Sequence, residues 1–391
     1  MSPPHIAIYI DPFSHHFLGD KLFDLNFAAH AGGEQILAPY VHLKEYLGAR
    51  GIPVHTADYF PSQPDGYRNL FFSLGRIEQY KRVGKRQDAV LSAFFAFETP
   101  IIDPDLYREL YYAQDSFRRI FCWTDSAALE PWVGGPLRCL PFFPPQSFDK
   151  VHSGTWENTD RGFLVMINNN RLCRLPPPCR ELYSERMRAV LYFGQTGEIE
   201  LYGGGWDRPT LRVGGRICIP GTFGKIPQPG TLQRLNHELI RHWQKFFPDP
   251  LLESARKVYR GFATSKRETL GKYKFALCFE NAILKGWITE KIFDCFFAGT
   301  VPVFWGATDV EDHIPTDCFI DMRRFADYSD LRSYLRSLSP EDVQNYKEAA
   351  RAFLESPRFD PFTKRAFAER FARIVEEDTG VKLTKREAAH A

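Results

Sequence analysis

Glu280, Asn281, Thr289, Glu290 and Lys291 stand close together in residues 272–306, KYKFALCFENAILKGWITEKIFDCFFAGTVPVFWG. The pattern places Lys291 in the first turn of a helix, where the dipole disfavours a cation unless an anion lies beside it. The free N–H groups of that turn favour the same anion. A bound phosphate would supply it. The group then reads as a sugar-nucleotide site, with Lys291 for diphosphate charge, Glu290 for sugar or ribose hydroxyls and Asn281 for further hydrogen bonds. An ordinary helix start with a solvated Glu–Lys pair fits the same residues, and physics alone leaves the two readings level.

Glu98 is the second chemical candidate. It follows the apolar run AVLSAFFAF (89–97), and the carboxyl end of a buried strand faces the ligand cleft of an α/β domain. Phe94, Phe95 and Phe97 beside it would raise its pKa, which suits a general base for a sugar hydroxyl. A helix-capping or salt-bridged Glu is the alternative, and the residues alone favour it. Arg186 and Arg188 lie on a segment of helical pattern, 180–195, and a guanidinium grips phosphate in bidentate fashion. Read alone, either is a solvated helix residue. The segment Asp11 to Gly33 carries His15, His16, Asp20, Asp24 and His30. Its spacing fits no common metal-ligand pattern, so it reads as a loop lining an acceptor cleft, with solvated histidines as the alternative.

The elements that must position these groups alternate in both halves. Residues 5–10 (HIAIYI) read as a first parallel strand, 34–50 as an amphipathic helix, 52–55 as a second strand and 89–97 as another. Residues 133–157, rich in Pro, Gly and aromatics, read as a linker. In the second half, 162–167 (GFLVMI) and 198–202 (EIELY) read as strands, the latter running into Gly203–Gly204–Gly205. Residues 207–232 read as a flap over the ligand, and 233–247 as a helix. Tyr273 to Phe279 reads as a buried strand, and Thr289 as the N-cap of a helix from Glu290 whose apolar face is Ile292, Phe293, Phe296 and Phe297. Gly299 ends that helix in the left-handed conformation, before a strand from Thr300 to Trp305. A short strand at 318–321 and helices at 326–338, 340–355 and about 361–377 complete the pattern, with a frayed tail after Gly380. Such alternation predicts doubly wound α/β domains.

Composition narrows the function. The chain has 391 residues, 44% hydrophobic and 25% charged, an ordinary globular balance with room for two cores. A net charge of +2 argues against a general nucleic-acid binder. The eight cysteines include no C-x-x-C pair, and Cys122, Cys278 and Cys295 sit in apolar runs, which suits buried thiols in a reducing compartment. No basic n-region precedes the short apolar run near the start, and no window is apolar enough to span a membrane. The expectation is a cytoplasmic protein.

The string FENA-x4-WITEK-x7-AGTVPVFWG resembles the donor-binding motif of the α-1,3/1,4-fucosyltransferases, glycosyltransferase family 10. FETP (97–100) is similar to that family's FESP, whose Glu is the proposed base, and FCWTDS (121–126) to its FNWT segment. Ala282 and Trp287 stand where the family has Ser and Tyr, and the His that commonly follows FESPS is absent. The resemblance implies a GT-B architecture: two Rossmann-like doubly wound domains facing a central cleft. It assigns acceptor binding to 1–155 and donor binding to 156–360, with 361–391 as a C-terminal helix and tail packing back on the first domain. It implies inverting transfer of L-fucose from GDP-β-L-fucose to an acceptor glycan hydroxyl. Glu98 would be the base. Arg188, four residues before a Tyr as in the family, with Arg186 as second choice, would grip the diphosphate. Glu280, Asn281, Trp287, Thr289, Glu290 and Lys291 would complete the donor site, and Lys266 would lie near it. No cofactor is implied beyond the donor, and no D-x-D pair stands at a strand end, in keeping with a metal-independent reaction. A relative using another GDP-sugar, and a glycan- or nucleotide-binding module without turnover, are the competing readings.

Overall fold

Six parallel strands build the first sheet: β1 (Ile6–Asp11), β2 (Val54–Thr56), β3 (Arg68–Leu74), β4 (Ala89–Ala96), β5 (Ile120–Cys122) and β6 (Leu140–Pro141), in the order β2-β1-β3-β4-β5-β6. The computed structural model describes residues 5–28, 36–171, 180–207 and 250–384, with backbone alone for 211–213 and 216–218. β4 is apolar but for the buried Ser92, because both its faces are covered. Ala93 and Phe95 enter one core and Phe94 and Ala96 the other.

The second sheet contains β7 (Gly162–Ile167), β8 (Ile199–Tyr202), β11 (Tyr273–Phe279), β12 (Val301–Trp305) and β13 (Ile320–Asp321), all parallel, in the order β13-β12-β11-β7-β8. Between β8 and β11 in sequence, β9 (Leu211–Val213) and β10 (Arg216–Cys218) pair antiparallel. The rest of the expected flap beyond Asp207, the helix expected over 233–247, and His30 lie outside the described residues. Each large sheet starts with one strand, adds the second on one side and the remainder on the other. The reversal leaves a crevice between β1 and β3, and another between β7 and β11, at the carboxyl ends where α/β folds bind ligands. Two doubly wound units on either side of a cleft make the GT-B arrangement.

The helix Glu290–Ala298 buries Ile292, Phe293, Phe296 and Phe297, and Gly299 closes it at φ +70°. The terminal helix Lys364–Thr379 packs on the first sheet. Its Phe371 stacks on Phe95 at 5.2 Å and on Phe72 at 4.4 Å between ring centroids.

Two expectations need correction. The stretch 133–157 is more than a linker, because Leu140–Pro141 is the edge strand of the first sheet, paired with β5. An edge strand tolerates the proline that a central one excludes. The chain just past Gly380 is tied down: Leu383 N–H donates to Glu376 Oε1 at 2.7 Å, and Val381 and Leu383 pack on the first core.

Candidate active site

β11 ends by delivering Glu280 into a fully enclosed position, 0% exposed. Gly306 leaves the space, since a Cβ there would lie 2.6 Å from Glu280 Cγ. Glu280 Oε1 accepts from Thr289 N–H at 3.0 Å and from the Thr289 hydroxyl at 2.7 Å. Its Oε2 accepts from Lys291 Nζ at 2.8 Å, and Lys291 also donates to Thr289 Oγ1 at 2.9 Å. A buried carboxylate held by three donors thus fixes the start of the helix and the lysine in its first turn. Three sequence expectations change here. Thr289 occupies the N-cap position but makes no side-chain capping bond, its hydroxyl being committed to Glu280. Glu280 is enclosed, with its carboxylate oxygens engaged by Thr289 and Lys291. The anion that justifies a lysine at this helix start is already supplied, by Glu280.

Lys291 keeps 18% of its side chain exposed and has a third N–H to offer. It opens on a cleft of about 630 Å³ lined by both domains. From the second domain come Arg171, Arg186, Asn281, Glu290 and Lys266; from the first come Phe13, Tyr40, Phe97 and Glu98. Lys266 lies 2.6 Å from Asp294 and 3.5 Å from Glu290. Burial pushes the Glu290 carboxyl up, but Lys291 and Lys266 outweigh it and hold the group at about 2. Glu290 is therefore an acceptor of hydrogen bonds at any working pH.

Arg186 and Arg188 separate. On the helix Tyr183–Thr196 residues two positions apart point to nearly opposite sides. Arg186 is 3% exposed and turns toward the end of β11, donating through Nη2 to Phe279 O at 2.6 Å and to Asn281 Oδ1 at 3.0 Å, while its Nε has no partner among the described residues. Arg188, the first choice from spacing, has 67% of its side chain exposed and pairs with Glu185 at 2.8 Å. It lines a different cavity with Arg180, Trp305 and Tyr328. Spacing to a tyrosine does not fix which side of a helix an arginine faces.

Glu98 leaves the end of β4 with its carboxyl in the cleft. The side chain reaches solvent, yet the cleft walls surround it, and this desolvation pushes its pKa up to about 7. Lys291 and Arg171 pull it down, and Glu290 and Glu280 push it up. Behind it, the Tyr107 hydroxyl donates to the Glu98 carbonyl at 2.5 Å, and Trp123 Nε1 donates to Tyr107 Oη at 3.0 Å.

Trp287, expected to meet the donor, is almost wholly enclosed at the cleft edge. Its ring meets Trp123 edge-on at 5.0 Å, inside the first domain's core together with Ala282 and Leu284. Gly286 permits this insertion at φ +74°, because any Cβ would sit 2.2 Å from Trp123 O. Ala282 is likewise fully buried. His15 and His16 are not among the described residues that line the cleft. Asp20 ties the loop to the domain through Lys44 at 2.8 Å and His55 at 2.9 Å, and His15 contacts Arg76 at 2.6 Å. Gly203 approaches backbone rather than leaving open space: a Cβ would lie 2.3 Å from Asn168 O. Sequence reasoning missed Arg171, Asp294 and Tyr107, since nothing local distinguishes them from surface or core residues.

Residues 239–350 match the family model described as glycosyltransferase family 10 (fucosyltransferase), C-terminal. The chain is 36% identical over 74 residues to an alpha-(1,3)-fucosyltransferase of Helicobacter pylori, which is 19% of this chain and 16% of that one. It is 43% identical over 75 residues to GDP-fucose protein O-fucosyltransferase 3 of Xenopus laevis, 19% and 16% of the two chains. It is also 43% identical over 106 residues to 4-galactosyl-N-acetylglucosaminide 3-alpha-L-fucosyltransferase 9 of Mus musculus, 26% and 30% of the two. The matched stretches thus span less than a third of these relatives. A crystal structure of an alpha1,3-fucosyltransferase superposes with a TM-score of 0.47 at 15% identity, over 97% of this chain and 92% of that one. Among the described residues no helix is long and apolar enough to cross a membrane. The segment that carries Glu280, Glu290 and Lys291 is thus the part of the chain that is similar to glycosyltransferase family 10.

Proposed function

We propose that the chain is an inverting glycosyltransferase that moves L-fucose from GDP-β-L-fucose to a hydroxyl of an acceptor glycan. The observation that carries this reading is the shared cleft: Glu98 on one wall, Arg186 and Lys291 on the other. The donor's pyrophosphate lies against Lys291 and Arg186, with Asn281 holding the arginine and Glu290 accepting from ribose or sugar hydroxyls. Glu98 takes the proton of the attacking acceptor hydroxyl. A pKa of about 7 leaves a working fraction ionised at neutrality while keeping proton affinity, as general-base catalysis requires. The hydroxyl oxygen bonds to the anomeric carbon as the bond to the phosphate oxygen breaks, on the opposite face, so configuration inverts. Lys291 and Arg186 stabilise the charge on departing GDP, in the place that a metal ion takes in other transferases. The second domain holds the donor and the first the acceptor.

Transfer from another GDP-sugar is the second reading, raised by Ala282 and Trp287. Ala282 is wholly enclosed, whereas Trp287 is buried against the first domain's core yet also lines the cleft, so Trp287 is the substitution that bears on the choice of sugar. The deciding experiment measures acceptor-dependent GDP release with EDTA present across a panel of GDP-sugars. GDP-fucose should be the preferred donor. Preference for a different GDP-sugar would replace it, and nucleotide binding without release from any donor would leave only a binding module. Glu98→Gln should lose transfer and keep GDP affinity; retained turnover would remove Glu98 as the base.

A further inference from the structure

We propose that Tyr107 and Trp123 are positioning residues for Glu98, forming a buried relay that couples it to the loop opening the donor helix. The inference rests on Glu98 being the base. The observations are four contacts in a row. The Glu98 carbonyl accepts from the Tyr107 hydroxyl at 2.5 Å and from Trp123 Nε1 at 3.4 Å. Trp123 Nε1 also donates to Tyr107 Oη at 3.0 Å, inside the core. The Trp123 ring meets Trp287 edge-on at 5.0 Å. Trp287 in turn belongs to the loop that runs into Thr289, Glu290 and Lys291.

Each link has a physical reason to be specific. Tyr107 is fully buried, so its hydroxyl must find an acceptor, and the one it takes is the main chain of the residue whose carboxyl enters the cleft. A hydrogen bond to the carbonyl fixes the peptide from which the Glu98 side chain springs, whereas a bond to the carboxylate would compete with its proton transfer. Gly286 lets the donor-side loop lie against the Trp123 carbonyl, where any Cβ would sit 2.2 Å from the oxygen. The distance between the base on one domain and Lys291 on the other is therefore set by this aromatic chain, not by the flanking strands alone. Misplacing a reacting group by about 1 Å costs roughly a hundredfold in rate.

The test compares Tyr107→Phe, which removes one oxygen and keeps the ring, with wild type. The kcat for fucosyl transfer should fall on the order of tenfold or more, while the KM for GDP-fucose and the affinity for GDP stay unchanged. The acid limb of the pH–kcat profile should move below its wild-type position as the carboxyl shifts toward water. Lys291, Glu290, Arg171 and Glu280, the charged groups around Glu98, are unaltered, so a shifted limb reports the carboxyl's position. An unchanged kcat and acid limb, or a parallel loss of GDP affinity and kcat, would overturn the relay. Adding Tyr107→Phe to Glu98→Gln should cost nothing further in residual rate, and an additive loss would contradict action through Glu98. Trp123→Phe, which keeps a ring against Trp287 but loses the N–H, should repeat the kcat effect in a folded protein. An active Glu98→Gln enzyme would remove the base reading itself, whereas an inactive one with a normal Tyr107→Phe enzyme would remove only the relay.

Discussion

At Lys291, two roles meet in one side chain. Its ammonium neutralises the enclosed Glu280 and also faces the cleft. Lys291→Ala should therefore do two separable things. GDP affinity should drop about tenfold or more through loss of a charge-assisted bond, read by calorimetry well below the melting temperature. Stability should also fall, by about 3 kcal/mol, because Glu280 is left buried without its counter-charge, read by urea unfolding; unchanged GDP affinity would remove Lys291 from the donor site. Glu98 carries the opposite signature. Its folded pKa lies above that of an unfolded glutamate, so its protonated form favours the fold at low pH and that contribution is lost as pH rises through about 7. Glu98→Gln should accordingly be more stable than wild type at pH 8, with the difference gone below the ordinary Glu pKa. Equal pH dependence of the two melting curves would mean that the carboxyl is not desolvated. Transfer itself should rise with pH through about 7.

Among elements, the β11–helix–β12 unit was the most readable from sequence. Its apolar run, its left-handed glycine and its helical spacing are all local signals that packing then reinforces. Glu98 was readable for the same reason, as a charge at the end of an apolar strand. What stayed hidden depends on three-dimensional neighbours. The phase of Arg186 against Arg188 is set by how one helix lies on β11. The strand Leu140–Pro141 hides in a proline-rich stretch because its partner β5 defines it. Tyr107 is one more buried aromatic until its hydroxyl is seen beside Glu98. β3 (RNLFFSL) was legible but unread: Pro64–Asp65–Gly66 before it and Gly75 after it are turn signals, and both glycines take positive φ. Gly286 tests the element-level account: Gly286→Ala places a methyl group against the Trp123 carbonyl at an unfavourable φ. It should lower the melting temperature and kcat together, and a variant matching wild type in both would mean that the loop is not wedged as described. Phe371→Ala, which empties a stack between the terminal helix and β3 and β4, should cost about 3–5 kcal/mol in urea unfolding.

At the scale of the whole molecule, two sheets of the same winding present their switch-point crevices to one cleft, and two devices hold them together. Trp287, Leu284 and Ala282 of the second unit complete a core of the first. The terminal helix, reached from the second unit, returns to the first sheet, where Asp378 binds Arg118 and Arg119 at 2.9 Å each. Calorimetry should therefore show one cooperative unfolding transition, and two well-separated transitions would mean that the shared core contributes little. The most direct measurement of the central claim is a crystal structure of the chain with bound GDP. The account predicts the pyrophosphate within hydrogen-bonding distance of Lys291 Nζ and the Arg186 guanidinium, on the side of the cleft facing Glu98. A nucleotide found instead in the cavity of Arg188 and Trp305, or away from Lys291 altogether, would contradict it.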